Sequence, residues 1–508
     1  MNDVNGQHEA FDVIVLGGGP GGSSAASFVA MQGHSVLLLE KERFPRHQIG
    51  ESLLPATTYG ICSLLGIRDR IERAGFPRKN GGTFRWGKNP EPWTFRFAAN
   101  PRVPGGYAYQ VERSVFDKML LDAAREKGVD VREQHTVLGV DEHDGRLSRV
   151  RFRDDRGVER VADAKYVVDS EGNRGQHYQL VGERVFSQFF QNVALFGYFH
   201  HGKRLPAPNE GNILCAAFRD GWFWYIPLSD TLTSVGAVVS REAAQRIQDG
   251  PEQALRGYIE ACPVIAEYLA PATRVTEGMY GELRVRKDYS YCNTRFWKPG
   301  LVLIGDAACF IDPVFSSGVH LATYSALLAA RSINSYLGGG LDEHEVFEEF
   351  EFRYRREFGN FYQFLLAFYD MHQDEESYFW NARKVINTEE KANDAFIRLV
   401  AGASCADEPI FDAAAEFFRS RQGMGPWFEG MLGHELAMQV DGLPEVKPPP
   451  VALDGGPSPE QFMEGFTAEV RQIQMQAMYG GRRARESSIR ARGLIPSQDG
   501  FAWRADQR

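Results

Sequence analysis

Much that would simplify the reading is missing from this 508-residue chain. Its six cysteines, Cys62, Cys215, Cys262, Cys292, Cys309 and Cys405, form no CxxC pair and no ligand-spaced cluster. That excludes a disulfide scaffold, predicts buried free thiols in a reducing compartment, and gives no reason to expect a metal. No apolar run approaches the roughly 18 residues of a membrane span, and the opening MNDVNGQHEA lacks the apolar core of a secretory signal. A cytoplasmic location with no membrane partner is the expectation. Net positive charge is missing too: the formal net charge of −10 argues against a nucleic-acid partner. No internal repeat is visible. With 24% charged and 43% hydrophobic residues the chain is ordinary globular material, and its length suggests two to four structural units.

What is present concentrates first in residues 11–40, FDVIVLGGGPGGSSAASFVAMQGHSVLLLE. A β-rich run, 13–16, feeds Gly17, Gly19 and Gly22 at GxGxxG spacing; a small-residue helix is predicted over 20–31 and a second strand over 35–39, ending on Glu40. The first glycine permits a tight turn, the second lets backbone approach a pyrophosphate, and the third lets helix and strand pack closely. The helix amides face the anion, and Glu40 is placed to accept from a ribose hydroxyl. A lone GxGxxG also arises as a structural turn. Here strand, glycines, helix, strand and acid fall in order.

Residues 41–55, KERFPRHQIGESLLP, read as a loop over the nucleotide, with Arg46 facing a phosphate or a ring, and Glu51 or Ser52 capping a helix over 56–65. Turn-rich 76–87 leads into short strands at 93–97 and 107–111. Lys79 lies in it, and for such a lysine alone solvent is the ordinary place. A helix over 113–127 follows, its apolar residues at Val115, Phe116, Met119, Leu120 and Ala123; Arg113 at its start is a candidate for binding the cofactor. Further strands end in DSEGNRG, 169–175, a polar sheet edge suited to touching the same ligand again.

Residues 192–240 alternate as antiparallel strands do, with a helix expected over 241–261. They include GWFWYIPL, where Trp222 and Trp224 share one face; core packing is the competing explanation for that pair. In GLVLIGDAACFIDPVFSSGVH, 300–320, a buried strand ends at Gly305 and Asp306, the latter suited to a sugar-alcohol chain. Ser316, Ser317 and Gly318 then open a helix over 319–337, whose free amides make an anion site or whose serines simply cap it. Residues 342–386 form an aromatic helical stretch, 412–421 and 459–478 further helices, and 441–459 a linker. Arg482, Arg483, Arg485, Arg490 and Arg492 against Glu486 suggest a solvated tail.

The expected fold is α/β, α+β overall: a Rossmann-like βαβ cofactor domain from 11–82, 107–182 and 283–340, an inserted, mainly antiparallel substrate sheet from 83–106 and 183–282, and a helical region over 341–440. The linker and a helix with basic tail, 460–508, complete it.

Three separated segments aimed at one dinucleotide resemble the FAD fold of the p-hydroxybenzoate hydroxylase type, over roughly residues 11–337. Within it, FPRHQIGESLLP from Phe44, the FxxKxG…FxWG pattern over 76–87, and WxWxIP over 222–227 are similar to the flavin-dependent halogenases, above all those of natural-product pathways acting on carrier-bound phenols. The resemblance implies FAD delivered reduced by a separate flavin reductase, and O2 and chloride yielding hypohalous acid. Lys79 matches the family's catalytic lysine, Trp222 and Trp224 its flavin-shielding pair, and DPVFSSGVH its halide loop, with Ser316 to Gly318 on the halide. Tryptophan halogenases carry a glutamate two residues beyond the proline of that loop, and this chain has Phe315 there. A tethered phenol on a carrier protein, rather than free tryptophan, is therefore the expected substrate, with the local base unassigned. Other FAD enzymes, a ring monooxygenase or a geranylgeranyl-reductase-like protein with its YxWxFP motif, are the alternatives, followed by a flavin-binding module without turnover.

Overall fold

In the computed structural model, residues 9–86, 92–100, 103, 105–368, 397–403 and 493–505 are described. The strands Trp297–Lys298, Leu301–Leu303, Glu159–Asp169, Glu9–Leu16, Val36–Glu40 and Asp130–Glu133 lie in that order in one sheet. Its central pairings are parallel, and its central strands are near-continuous apolar runs because both faces are covered. The helix Pro20–Ala30 packs on one face, beside the helix Ser317–Leu337.

Register decides where the chemistry falls. Leu16 aligns with both Leu39 and Asp169, and Asp169 with Leu303. The next residues of each strand, Gly17, Glu40, Ser170 and Ile304, therefore gather at one carboxyl edge, where open α/β sheets bind ligands.

A second, nine-stranded sheet is mostly antiparallel and is built on the long strand Arg184–His200. Gly221–Pro227 sits inside it, between Ile213–Phe218 and Leu232–Val239. Alternation along that strand separates two interiors: Trp222, Trp224 and Ile226 face the core shared with the first sheet, whereas Phe223 and Tyr225 face a cluster capped by Leu255, Tyr258 and Ile265.

Several expectations are corrected. Arg284–Asn293 pairs antiparallel with Arg184–His200, so this part of 283–340 belongs to the second sheet. The helix expected over 241–261 is broken at Gly250, whose φ is +156°, and its second part, Pro251–Glu260, ends near the expected boundary. Neither Glu51 nor Ser52 caps the helix beginning at Ala56; Pro55 stands at its N-cap, without a side-chain bond. Finally, the chain's end is not wholly solvated. Leu494–Pro496 and Trp503–Ala505 form a hairpin that buries Leu494 and Trp503, because Trp503 Nε1 donates to Ser332 Oγ (2.9 Å) and Arg331 Nε to the Gly500 carbonyl (2.6 Å). The aromatic helix runs Glu343–Phe368; the rest of 342–386, the expected helices over 412–421 and 459–478, the linker and the arginines from Arg482 to Arg492 lie outside the described residues. Among the described residues, no helix is long and apolar enough to cross a membrane.

Candidate active site

At the carboxyl edge, Gly17 adopts φ +95° where the strand turns into the helix Pro20–Ala30. A Cβ on Gly22 would lie 1.9 Å from the Gly17 carbonyl oxygen, so no other residue fits the strand-to-helix contact. Gly19, the N-cap, makes no side-chain cap, and the first turn carries no acid, which leaves that terminus electropositive. A Cβ there would meet only the Arg46 guanidinium, at 3.7 Å. Glu40 is buried and accepts from Gly18 N (2.6 Å) and Glu42 N (2.7 Å); burial pushes its carboxyl up against those two bonds. Its carboxylate retains lone pairs for a sugar hydroxyl.

Arg46 and Arg113 converge on one acid that sequence reasoning missed. Asp117 is fully buried, takes two bonds from Arg113 (2.7 and 2.9 Å) and one from Arg46 (3.0 Å). Its position four residues beyond Arg113 on one helix was the available signal. Arg113 Nη1 also donates to the carbonyls of Ile49 (2.6 Å) and Gly50 (3.2 Å), which ties the 41–55 loop to this helix. Asp306 follows the strand Leu301–Leu303; burial raises its carboxyl to about 6, with Arg113 and Arg184 opposing. These groups fit FAD: a glycine turn that any Cβ would fill, an uncapped helix terminus, and carboxyls for sugar hydroxyls. Nearby, Asp169, Glu171 and His177 place one ligand atom each within 4.8 Å of one another, a grouping the sequence spacing did not suggest; His177 Nδ1 is already paired with Glu171 at 2.8 Å.

Lys79 is not a surface lysine. It is 2% exposed on the two-residue strand Arg78–Lys79, opposite Ala108, with Nζ donating to the Leu53 carbonyl at 3.0 Å. Burial lowers its ammonium to about 7, opposed by Cys215. Cys215 Sγ in turn lies 3.9 Å from the Val314 carbonyl, inside DPVFSSGVH. The loop's backbone and the lysine's charge therefore both act on one thiol.

In the loop, Asp312 is fully buried, caps Val314 N at 3.1 Å and accepts from Asn192 Nδ2 at 3.3 Å. Ser316 is left-handed, φ +61°, at the N-cap of Ser317–Leu337, and its side chain makes no cap bond. Simple capping is thus not what Ser316 does. Ser317 Oγ is buried without a hydrogen-bond partner, and a Cβ on Gly318 would meet nothing within 4 Å. Together they offer an uncapped 21-residue helix terminus, an unused hydroxyl and open space, which suits an anion.

Trp222 and Trp224 are buried, their ring centroids 6.2 Å apart. Trp222 continues to Trp86 (6.1 Å) and on to Phe368 (4.8 Å), which meets Phe315 at 4.7 Å. Trp224 Nε1 donates to Ser234 Oγ at 3.2 Å. The pair belongs to the core between the sheets and, at the same time, to an aromatic wall that runs up to the loop.

Known proteins resemble this chain over most of its length. A family model described as tryptophan halogenase matches residues 12–104 and 100–439. A tryptophan 2-halogenase of Chondromyces crocatus is 34% identical over 392 residues, covering 74% of this chain and 71% of that protein. Among solved structures, a myxobacterial chondrochloren halogenase, CndH, described as a variant of FAD-dependent halogenases, is 60% identical with a TM-score of 0.75, over 98% of this chain and 100% of that one. The flavin-dependent halogenase CmlS is 31% identical with a TM-score of 0.67, over 81% and 78%.

Proposed function

The chain belongs to the flavin-dependent halogenases, and from that premise we propose that it chlorinates an electron-rich phenol held on a carrier protein, in a natural-product pathway. Enzymes of the family use FAD and generally need a separate flavin reductase; here that reductase is proposed as the source of reduced cofactor. When bound and reduced, FAD would supply the two electrons that let O2 oxidise chloride to hypohalous acid with release of water.

The chain's own residues do the rest of the work in this reading. Gly17, Gly19 and Gly22 hold the pyrophosphate against the helix terminus, Glu40 takes the ribose, and Asp306 the sugar-alcohol chain, while Arg46 and Arg113 fix the covering loop through Asp117. Ser316, Ser317 and Gly318 hold chloride. Trp222 and Trp224 wall off the organic substrate and keep it from hydroxylation. Lys79, dry and held by one carbonyl, orients the halogenating species toward the ring; a compact ammonium on a flexible stem suits that role.

The single observation that carries the reading is that Lys79 is 2% exposed, with Nζ held by the Leu53 carbonyl at 3.0 Å. The phenol is favoured by Phe315, which lies among Phe84, Phe364 and Phe368 where a tryptophan halogenase has its acid. Mass spectrometry of products from reduced FAD, O2 and chloride, with free tryptophan, a free phenol and the same phenol on a carrier, tests it. Chlorination of the carrier-borne phenol is expected, and Lys79→Ala is expected to abolish it while FAD still binds. Chlorination of tryptophan alone would overturn the substrate, and an unaffected Lys79→Ala the mechanism.

A further inference from the structure

Glu51 is buried, 1% exposed, and its Oε2 has no hydrogen-bond partner. Its other oxygen, Oε1, accepts from Tyr198 at 2.8 Å. The Tyr198 hydroxyl stands 2.8 Å from His47 Nε2, and His47 is partly exposed on the 41–55 loop. Three hydrogen-bonding groups, two from the 41–55 loop and one from the strand Arg184–His200, thus join solvent to an unused carboxyl oxygen. The inner end is close to the proposed chemistry. The Ser234 hydroxyl that accepts from Trp224 also faces this carboxyl, and two residues beyond Glu51 the Leu53 carbonyl holds Lys79.

The proposed reaction needs such a path. Per turnover, reduced FAD (FADH2) and chloride each give up two electrons, and O2 takes up four to leave as two waters. The ring C–H bond breaks and a C–Cl bond forms. Chloride enters without a proton, so the balance takes one proton from solvent for every FADH2 consumed. Residues that exclude water from a flavin also exclude bulk protons.

We propose that His47, Tyr198 and Glu51 form a proton relay that carries this proton from solvent to the aromatic chamber. The inference rests on the halogenase reading above. The hydrogen bonds give it direction: Tyr198 has one proton and donates it to Glu51, so its oxygen accepts from His47 and the imidazole carries its hydrogen on Nε2. A proton arriving at Nδ1 releases Nε2–H to Tyr198 as Tyr198 O–H passes to Glu51, and the chain resets by reversing its hydrogen bonds. Charges around it favour both ends. Burial, with Arg284, Arg286, Arg113 and Arg46 nearby, lowers His47 to about 4, so the imidazole stays neutral and able to shuttle. Burial raises Glu51 to about 7 against Ser234, Tyr198 and Arg113, with Glu112 assisting, so it gains and loses a proton near neutrality. Tyr280 flanks the relay, its ring 4.3 Å from that of Tyr198 and its hydroxyl bound to Glu112.

Infrared titration of the FAD-bound protein tests the inner end without turnover. A protonated-carboxyl band with a midpoint near pH 7 is expected, absent in Glu51→Gln and shifted upward in Tyr198→Phe, which loses a bond to the carboxylate; a Glu51 ionised throughout pH 5–9 overturns the relay. Turnover with chemically reduced FAD tests the outer end. His47→Ala is expected to slow chlorination roughly 10²-fold, the scale of a lost proton-transfer group, with imidazole restoring the rate in this variant and not in Tyr198→Phe. Unchanged rates, or no rescue, overturn the relay. Wild-type protein that halogenates nothing overturns the reading of function instead, and the infrared titration still decides the relay.

Discussion

The thiol of Cys215 lies 3.9 Å from the carbonyl of Val314, and the same thiol is within electrostatic reach of the buried ammonium of Lys79. Cys215 belongs to the strand Ile213–Phe218 of the second sheet, which thus meets the loop that opens the helix Ser317–Leu337. Function here opposes stability, because burying an ammonium costs free energy that a methylene chain does not.

Lys79→Met separates the two. Chlorination is expected to fall by at least about 10²-fold, while the protein becomes more stable. The sign follows from the lysine's lowered value: between about 7 and 10.5 the unfolded chain holds a proton that the folded chain has shed, so wild-type stability rises with pH across that window. The gain from Lys79→Met is therefore full below pH 7 and vanishes toward 10.5. Thermal unfolding of both proteins across pH 6–10 checks it; a constant difference contradicts a buried, depressed lysine.

Gly22→Ala should cost FAD before it costs anything else. Its Cβ would sit 1.9 Å from the Gly17 carbonyl oxygen and 2.4 Å from Ser170 Oγ, so the glycine turn must open. We expect flavin content on purification to drop by at least about tenfold and unfolding stability to fall by about 2–4 kcal/mol, the range of backbone clashes at special sites. Flavin absorbance and denaturant unfolding measure the two effects separately.

Phe315→Glu places a carboxylate among Phe84, Phe364 and Phe368, where rings approach to 4.7 Å and Phe315 itself is 4% exposed. Burial without a partner is expected to cost about 2–4 kcal/mol at neutral pH, less below pH 5 as the acid protonates. The variant should lose the carrier-borne phenol without turning over tryptophan, since one acid does not rebuild an indole site. Thermal melts at two pH values and product analysis are the checks.

Trp503→Ala removes a ring clamped between Arg331 (5.0 Å) and Arg353 (4.8 Å) and bonded to Ser332. A loss of about 3 kcal/mol is expected, as for other buried tryptophans. Calorimetry of the full chain checks it; a neutral result would leave the hairpin without structural weight.

The glycine turn, the parallel strands around it and the fold class are legible in the sequence because these rest on local spacing: a tight turn, a period of two, an apolar run between breakers. The shared face of Trp222 and Trp224 is legible there too, and likeness marks out Lys79 and the loop 312–320. Folding settles the rest: Lys79 is dry, Ser316 does not cap its helix, Arg46 and Arg113 meet on Asp117, and His47, Tyr198 and Glu51 form one hydrogen-bonded chain. Residues 494–505 also return to the core. Ser316 departs from capping through its left-handed backbone; in the other cases a partner lies far away in sequence, as Arg46 does from Asp117 and Tyr198 from Glu51, or the outcome depends on burial, a property of how sheets stack that no local pattern encodes.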